Sequence, residues 1–283
     1  MKVLAPYLLV LPAWLWLAAF FVVPTLVMLS MSTMTGNSED GLEQTFHWAT
    51  YRTAWDTYHP QLIRSIEYGL IATLLCIAIG YPVAYWIAFR GGAHKSSLLL
   101  LLLLPFFVSF VIRTQSWSFM LSDNGMVLSP LKGLGLVPED FHLLQTPVAV
   151  VGGLVYNFLP FMVLPIYVSL ERIEPALLEA SADLYASAFT ALRKVVLPLS
   201  LPGVFAGVLL TFVPVAADYV NATILGGPGT TMIGSNIQTA YFTNLDYPLA
   251  SALSFMLMAV LLVGVFLYAR LLGTDDVLEV AGR

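Results

Sequence analysis

The chain has 283 residues, 59% of them hydrophobic and only 10% charged, with a net charge of −5. Apolar runs longer than the ~20 residues that cross a bilayer exclude a soluble domain and indicate an integral membrane protein. Lone Cys76 excludes a disulfide within the chain, and His47, His59, His94 and His142 lack ligand spacing, so no metal site and no nucleic-acid partner are expected.

Six runs are long enough to span: about Leu4–Met31, Ser65–Phe89, Leu98–Met120, Pro147–Leu170, Leu199–Asn221 and Pro248–Leu272. Each must be helical, because lipid offers no partner to open backbone groups. The first follows only Lys2, lacks a small-residue cleavage site and exceeds a signal-peptide core, so it counts as a span. The polar stretch Ser32–Pro60 follows as an outer loop. In it Gly36-Asn37-Ser38-Glu39-Asp40-Gly41 reads as a turn and Trp48–Trp55 as a short interfacial helix with aromatic anchors.

The second span opens on Arg64 and Glu67, an i, i+3 pair, and Gly80-Tyr81-Pro82 predicts a kink inside it. Arg90-Gly91-Gly92-Ala93-His94-Lys95 is a basic turn. It lacks the G-x-x-x-x-G-K-[ST] spacing of a phosphate loop, as does the whole chain, so nucleotide hydrolysis belongs on another subunit. In the third span Arg113 is too costly to face lipid and must point into the bundle or reach the outer surface. Asp123-Asn124-Gly125 then reverses the chain, and Leu128–Val137 reads as a short helix on the outer interface.

The fourth span carries Pro160 and Pro165, whose freed carbonyls need a protein or water partner, which suggests a pathway-lining helix with Asn157 as a polar contact. Glu179–Gly203 follows as an amphipathic, charged segment. Leu177, Leu178, Ser181, Leu184 and Ala188 fall on one face, with Glu179 and Asp183 on another, and the segment is expected to stop at Leu197-Pro198. That is the profile of short helices at a membrane surface, offered to a partner.

In the fifth span Thr211, Pro214 and Asp218 fall one turn apart on one face. A carboxylate within a span normally meets a polar cavity or a cation. The glycine-rich Leu225–Gly234 segment reads as a loop near a gate. The sixth span carries no nameable site, and 273–283 is a short exposed tail.

The segment from Glu179-Ala180-Ser181 through Leu184 and Ala186-Ser187 to Leu197-Pro198 resembles the cytoplasmic EAA loop of ATP-binding-cassette importer permeases. Ser181 replaces the family's usual second alanine, and Tyr185 stands where a glycine normally makes a tight turn. Leu104-Pro105-Phe106-Phe107 with Arg113-Thr114 and Trp117, Val155–Phe161, and Thr211–Asn221 with Leu225–Pro228 resemble the spermidine/putrescine type of these permeases.

The resemblance implies an all-α membrane protein of six transmembrane helices with the type I importer permease fold. Residues 1–64 hold the first helix and outer loop, 65–272 the five-helix core with the EAA-like loop 171–198, and 273–283 the tail. It implies a second permease subunit in a heterodimeric pair, an ATPase dimer carrying ATP and Mg, and an extracytoplasmic solute-binding protein. This chain itself would bind no cofactor and have no enzymatic activity.

Glu179, Ala180, Ser181, Asp183, Leu184, Tyr185, Ala186, Leu197 and Pro198 would form the ATPase-coupling loop. Asp218, Tyr219, Asn157, Glu67, Arg113 and Trp117 would line the path of a cation such as a polyamine. With both termini inside, eight of the twelve basic residues fall on the cytoplasmic side, which fits a bacterial inner-membrane protein. Two other readings stand beside this one. One is a related permease for another small solute, such as an organophosphonate, an amino-acid derivative or a metal complex. The other is a self-contained secondary carrier or intramembrane enzyme, which the absence of an obvious inverted repeat and of catalytic patterns disfavours.

Overall fold

A computed structural model describes residues 5–37 and 41–271, so the tail at 273–283, the end of the sixth run at Leu272 and the tip Ser38-Glu39-Asp40 lie outside the described residues. In chain order the helices are α1 (Ala5–Leu17), α2 (Val23–Met31), α3 (Ala49–Arg90), α4 (Lys95–Leu103), α5 (Phe110–Leu121), α6 (Leu128–Gly133) and α7 (Pro147–Glu171). They continue with α8 (Pro175–Asp183), α9 (Ala188–Ala191), α10 (Leu197–Ala216), α11 (Val220–Ile224), α12 (Ile233–Gln238) and α13 (Tyr247–Leu271). Among the described residues five helices are long and apolar enough to cross a membrane, or six if the pair Gly92–Phe107 and Phe110–Leu121, bent by 89°, is counted as one span.

The chain divides into two compact units, Met1–Pro60 with Asn236–Val260, and Gln61–Ser235 with Leu261–Arg283. In the first, α1 runs through a π-helical turn (Ala18–Val22) into α2, and the apolar stretch Val10–Met31 is exposed along its length, as suits lipid or a partner helix. Strands β1 (Met34–Asn37) and β2 (Gly41–Gln44) pair antiparallel, Met34 opposite Gln44. The sequence reading placed the turn at Gly36–Gly41 but not the strands beside it. Tyr51 donates its hydroxyl to Ser32 at 2.7 Å and ties the first turns of α3 to the end of α2.

The second unit is organised around α7. Thr146 caps its first turn by accepting from the Ala149 amide at 3.3 Å, and Pro147 needs no donor there. Leu154, Met162, Val163, Ile166 and Leu170 are fully buried along it. α10 crosses it at close range because glycines face it: a Cβ on Gly203 would sit 2.5 Å from the Pro165 carbonyl oxygen, and one on Gly207 would sit 2.7 Å from Met162 Sδ. The Tyr81 and Ser200 hydroxyls share a 2.8 Å hydrogen bond that joins α3 to α10.

Several expectations need correction. The stretch from Ala49 is no separate interfacial helix, and the outer loop does not reach Pro60. α3 runs unbroken for 42 residues, from Ala49 through Trp55 and Pro60 into the apolar run. The third run is no single helix. After Pro105 the backbone turns extended at Val108 (φ −94°, ψ 142°) and Ser109 (φ −52°, ψ 136°), and α5 starts anew. The fifth run ends at Ala216 rather than Asn221, so Asp218 does not continue the face of Thr211 and Pro214.

The charged segment does not stop at Leu197-Pro198 either. Helix continues from Ala188 to Ala216, 29 residues, through a π-helical turn at Leu192–Val196. In that turn the Leu197 amide reaches back to the Leu192 carbonyl. The shifted register leaves one carbonyl without a donor, which is what a proline in the next position requires. Arg64 does not pair with Glu67; its guanidinium donates to the Thr231 carbonyl at 2.9 Å.

Candidate functional site

The break before α5 and the break after α10 meet at one place. An open cavity of about 770 Å³ is lined by Phe106, Phe110, Arg113, Asn157, Phe158, Phe161, Asp218 and Tyr219, among others. Two of the six residues named for a solute path lie outside it: Glu67 is exposed on α3, and Trp117 packs against Tyr156 with ring centroids 5.2 Å apart. The fourth span supplies Asn157, the broken third span Arg113, and the segment beyond the fifth span Asp218 with Tyr219.

Asp218 is 7% exposed. Its Oδ1 accepts from the Asn221 amide at 2.7 Å, which starts α11 and fixes the carboxylate where α10 has ended. Asn157 is fully buried, and its Nδ2 donates to Thr114 Oγ1 at 3.1 Å and to Asn221 Oδ1 at 3.0 Å. A polar chain therefore runs from α5 through α7 to the Asp218 turn. Asn157→Ala deletes its middle and leaves a buried hydroxyl and a buried amide oxygen without a donor, a loss of about 1–3 kcal/mol. The expected result is a lower midpoint in thermal unfolding of the purified protein; an unchanged midpoint would show that the chain of bonds adds nothing.

Arg113, also 7% exposed, lies with its guanidinium carbon 4.5 Å from the centroid of Phe106 and 5.7 Å from that of Phe110. Among the described residues its Nε and Nη1 have no hydrogen-bond partner, and no carboxylate comes within 4.0 Å. Phe106 meets the edge of Phe161 at 5.4 Å and Phe110 that of Phe158 at 5.9 Å, so the rings are held in place. The sequence reading quoted these phenylalanines only as motif letters. Their i, i+4 spacing at 106 and 110 and i, i+3 spacing at 158 and 161, on the two segments that carry Arg113 and Asn157, was the available signal.

The EAA-like loop is a pair of short helices. Pro175 opens α8, and Ser187 caps α9 by accepting from the Thr190 amide at 3.3 Å. Leu178 and Ser181 are half-buried, whereas Glu179, Asp183 and Leu184 are exposed, and since α8 ends at Asp183, Leu184 and Ala188 do not extend its apolar face. Tyr185 takes φ +55°, the left-handed conformation for which glycine is usual. The Ala186 amide bonds the Ser181 carbonyl at 3.0 Å and the Tyr185 amide the Ala182 carbonyl at 2.9 Å, the double closure of a glycine-type helix end.

The tight turn is thus kept despite the tyrosine, which is 97% exposed. Tyr185→Gly is expected to stabilise this turn by about 0.5–1 kcal/mol, by removing the crowding of a Cβ at positive φ. Slower hydrogen exchange at the Ala186 amide would register it, and faster exchange would contradict it.

Comparison with known proteins gives a consistent picture. The family described as "Binding-protein-dependent transport system inner membrane component" matches residues 3–272. The spermidine/putrescine transport system permease protein PotB of Escherichia coli (strain K12) is 33% identical over 256 residues, 90% of this chain and 93% of that protein. PotB of Haemophilus influenzae is 32% identical over 256 residues, covering 90% of each. In fold, the chain resembles a chain of a bacterial ABC transporter involved in import of the acidic polysaccharide alginate. The TM-score is 0.72 at 19% identity, over 94% of this chain and 93% of that one.

Proposed function

We propose, from the premise that this chain belongs to the inner-membrane components of binding-protein-dependent transport systems, that it is a permease subunit for polyamines. It would work with a second permease subunit, an ATPase dimer and an extracytoplasmic binding protein. The observation that carries the reading is the 33% identity along nine-tenths of the chain to a spermidine/putrescine permease. The cavity is chemically apt: Asp218 offers a carboxylate to an ammonium group, while Phe158, Phe161 and Tyr219 offer apolar and aromatic walls to a methylene chain.

The coupling loop would comprise Glu179, Ala180, Ser181, Asp183, Leu184, Tyr185, Ala186, Leu197 and Pro198, docked on the ATPases from the cytoplasmic side, with both termini on that side. Helix is continuous from Ala188 to Ala216, about 43 Å at 1.5 Å per residue. A push on α8 and α9 therefore reaches the Asp218 turn through one rod, and alternating access follows from its tilt against α7. ATP and Mg would be held by the partner ATPases. This chain itself would bind no cofactor and catalyse no reaction.

Reconstitution of the assembled transporter in vesicles tests the reading. Spermidine uptake that requires ATP, the ATPase subunit and the binding protein is the expected outcome, and uptake by this chain alone would refute it.

A further inference from the structure

We infer that Arg113 is a built-in stand-in for the solute's ammonium group: in this conformation its guanidinium occupies the Phe106/Phe110 aromatic site that a passing cation needs. The inference deepens the polyamine reading, since it assumes a cationic solute in the same cavity. Four observations carry it. The guanidinium lies 4.5 Å from the Phe106 centroid and 5.7 Å from that of Phe110. It is almost wholly buried, yet among the described residues Nε and Nη1 have no partner. It makes no ion pair with Asp218, although both line the same cavity. And the two rings are propped by edge contacts to Phe161 and Phe158 that do not involve Arg113.

A buried guanidinium normally keeps a carboxylate beside it. Here the ring faces take that part, and the carboxylate in the cavity is left for something else. Position adds a consequence. Phe106 precedes the break at Val108–Ser109 and Phe110 follows it, so Arg113 bridges the two arms of the 89° bend. One ring face holds one cation. A solute ammonium drawn in by Asp218 must displace Arg113, and displacement unties the bend. Loading of the cavity is thereby linked to the shape of the third span, and an empty cavity is plugged by its own cation.

The test uses the whole assembled transporter in nanodiscs without the binding protein. Tetramethylammonium is titrated calorimetrically, since it binds aromatic faces and cannot hydrogen-bond. Arg113→Gln is expected to bind it roughly three- to thirtyfold more tightly than wild type, the range that one cation–π contact represents. Arg113→Lys, with a more strongly hydrated ammonium, is expected to shift affinity in the same direction by less, and it stands in should the glutamine variant fail to assemble. Adding Phe106→Leu to Arg113→Gln should abolish the gain.

Unchanged or weaker binding in the single variants overturns the inference, as does a gain that survives Phe106→Leu. Spermidine uptake by the wild-type transporter, measured alongside, separates the two ideas. A transporter that moves no spermidine but shows the gain keeps the stand-in and loses the polyamine reading.

Discussion

Asp218→Asn is expected to lower ATP-driven spermidine uptake by about ten- to a hundredfold while leaving the transporter assembled. The substitution keeps a side-chain oxygen that can accept from the Asn221 amide, now 2.7 Å from Oδ1, so α11 still starts where it does. It removes the carboxylate's charge from a cavity whose other charged group, Arg113, has the same sign as the proposed solute. A hydrogen bond to a charged group contributes about 1.5–3 kcal/mol, which sets the size of the loss.

Asp218→Ala separates the two roles. It should lose uptake to the same degree and also about 1 kcal/mol of stability, because the cap is gone. Uptake assays in vesicles, paired with thermal unfolding of the same preparations, distinguish them. Wild-type uptake by the asparagine variant would remove Asp218 from the path.

Gly203→Leu is expected to have the largest effect on folding of any single change at the α7–α10 crossing. Even a Cβ at this position would lie 2.5 Å from the Pro165 carbonyl oxygen and 2.7 Å from the Ser169 Cβ. The first of these is backbone and cannot rotate away. Pro165 also withholds a donor from the preceding turn of α7, so the clash falls on a turn that already lacks a hydrogen bond. The helices must separate, and with them Met162 loses its packing against Gly207.

Overpacking of this kind costs about 1–3 kcal/mol, and more where backbone meets backbone. Loss of the folded chain from membranes, or a melting midpoint lowered by several degrees, is the expected reading. Gly203→Ala gives a milder version with the same sign. A leucine variant that accumulates and transports like wild type would show that the crossing can open without harm.

The sequence by itself determined the class, the apolar runs, the family and the place of the EAA-like segment. Each of these rests on something one-dimensional: the length of an apolar run, the scarcity of charge, or letters at fixed spacing such as Glu179-Ala180-Ser181. It also singled out Asp218, Asn157 and Arg113, because a polar group amid apolar ones stands out in any reading.

What surrounds those three was decided only in three dimensions. The third run is almost wholly apolar up to Ile112, so no periodicity marks where it bends, and only the backbone at Val108 and Ser109 shows that Phe106 and Phe110 face one guanidinium. Helix spacing placed Asp218 on a face with Pro214, yet α10 ends at Ala216 and the carboxylate instead caps the next helix. A proline at position 198 reads as a stop, but a π-helical turn upstream accommodates its missing donor and joins α9 to the fifth span as one helix. Local rules fix which residues are costly to place in lipid; which of them meet depends on where helices break, and breaks are settled by packing against α7.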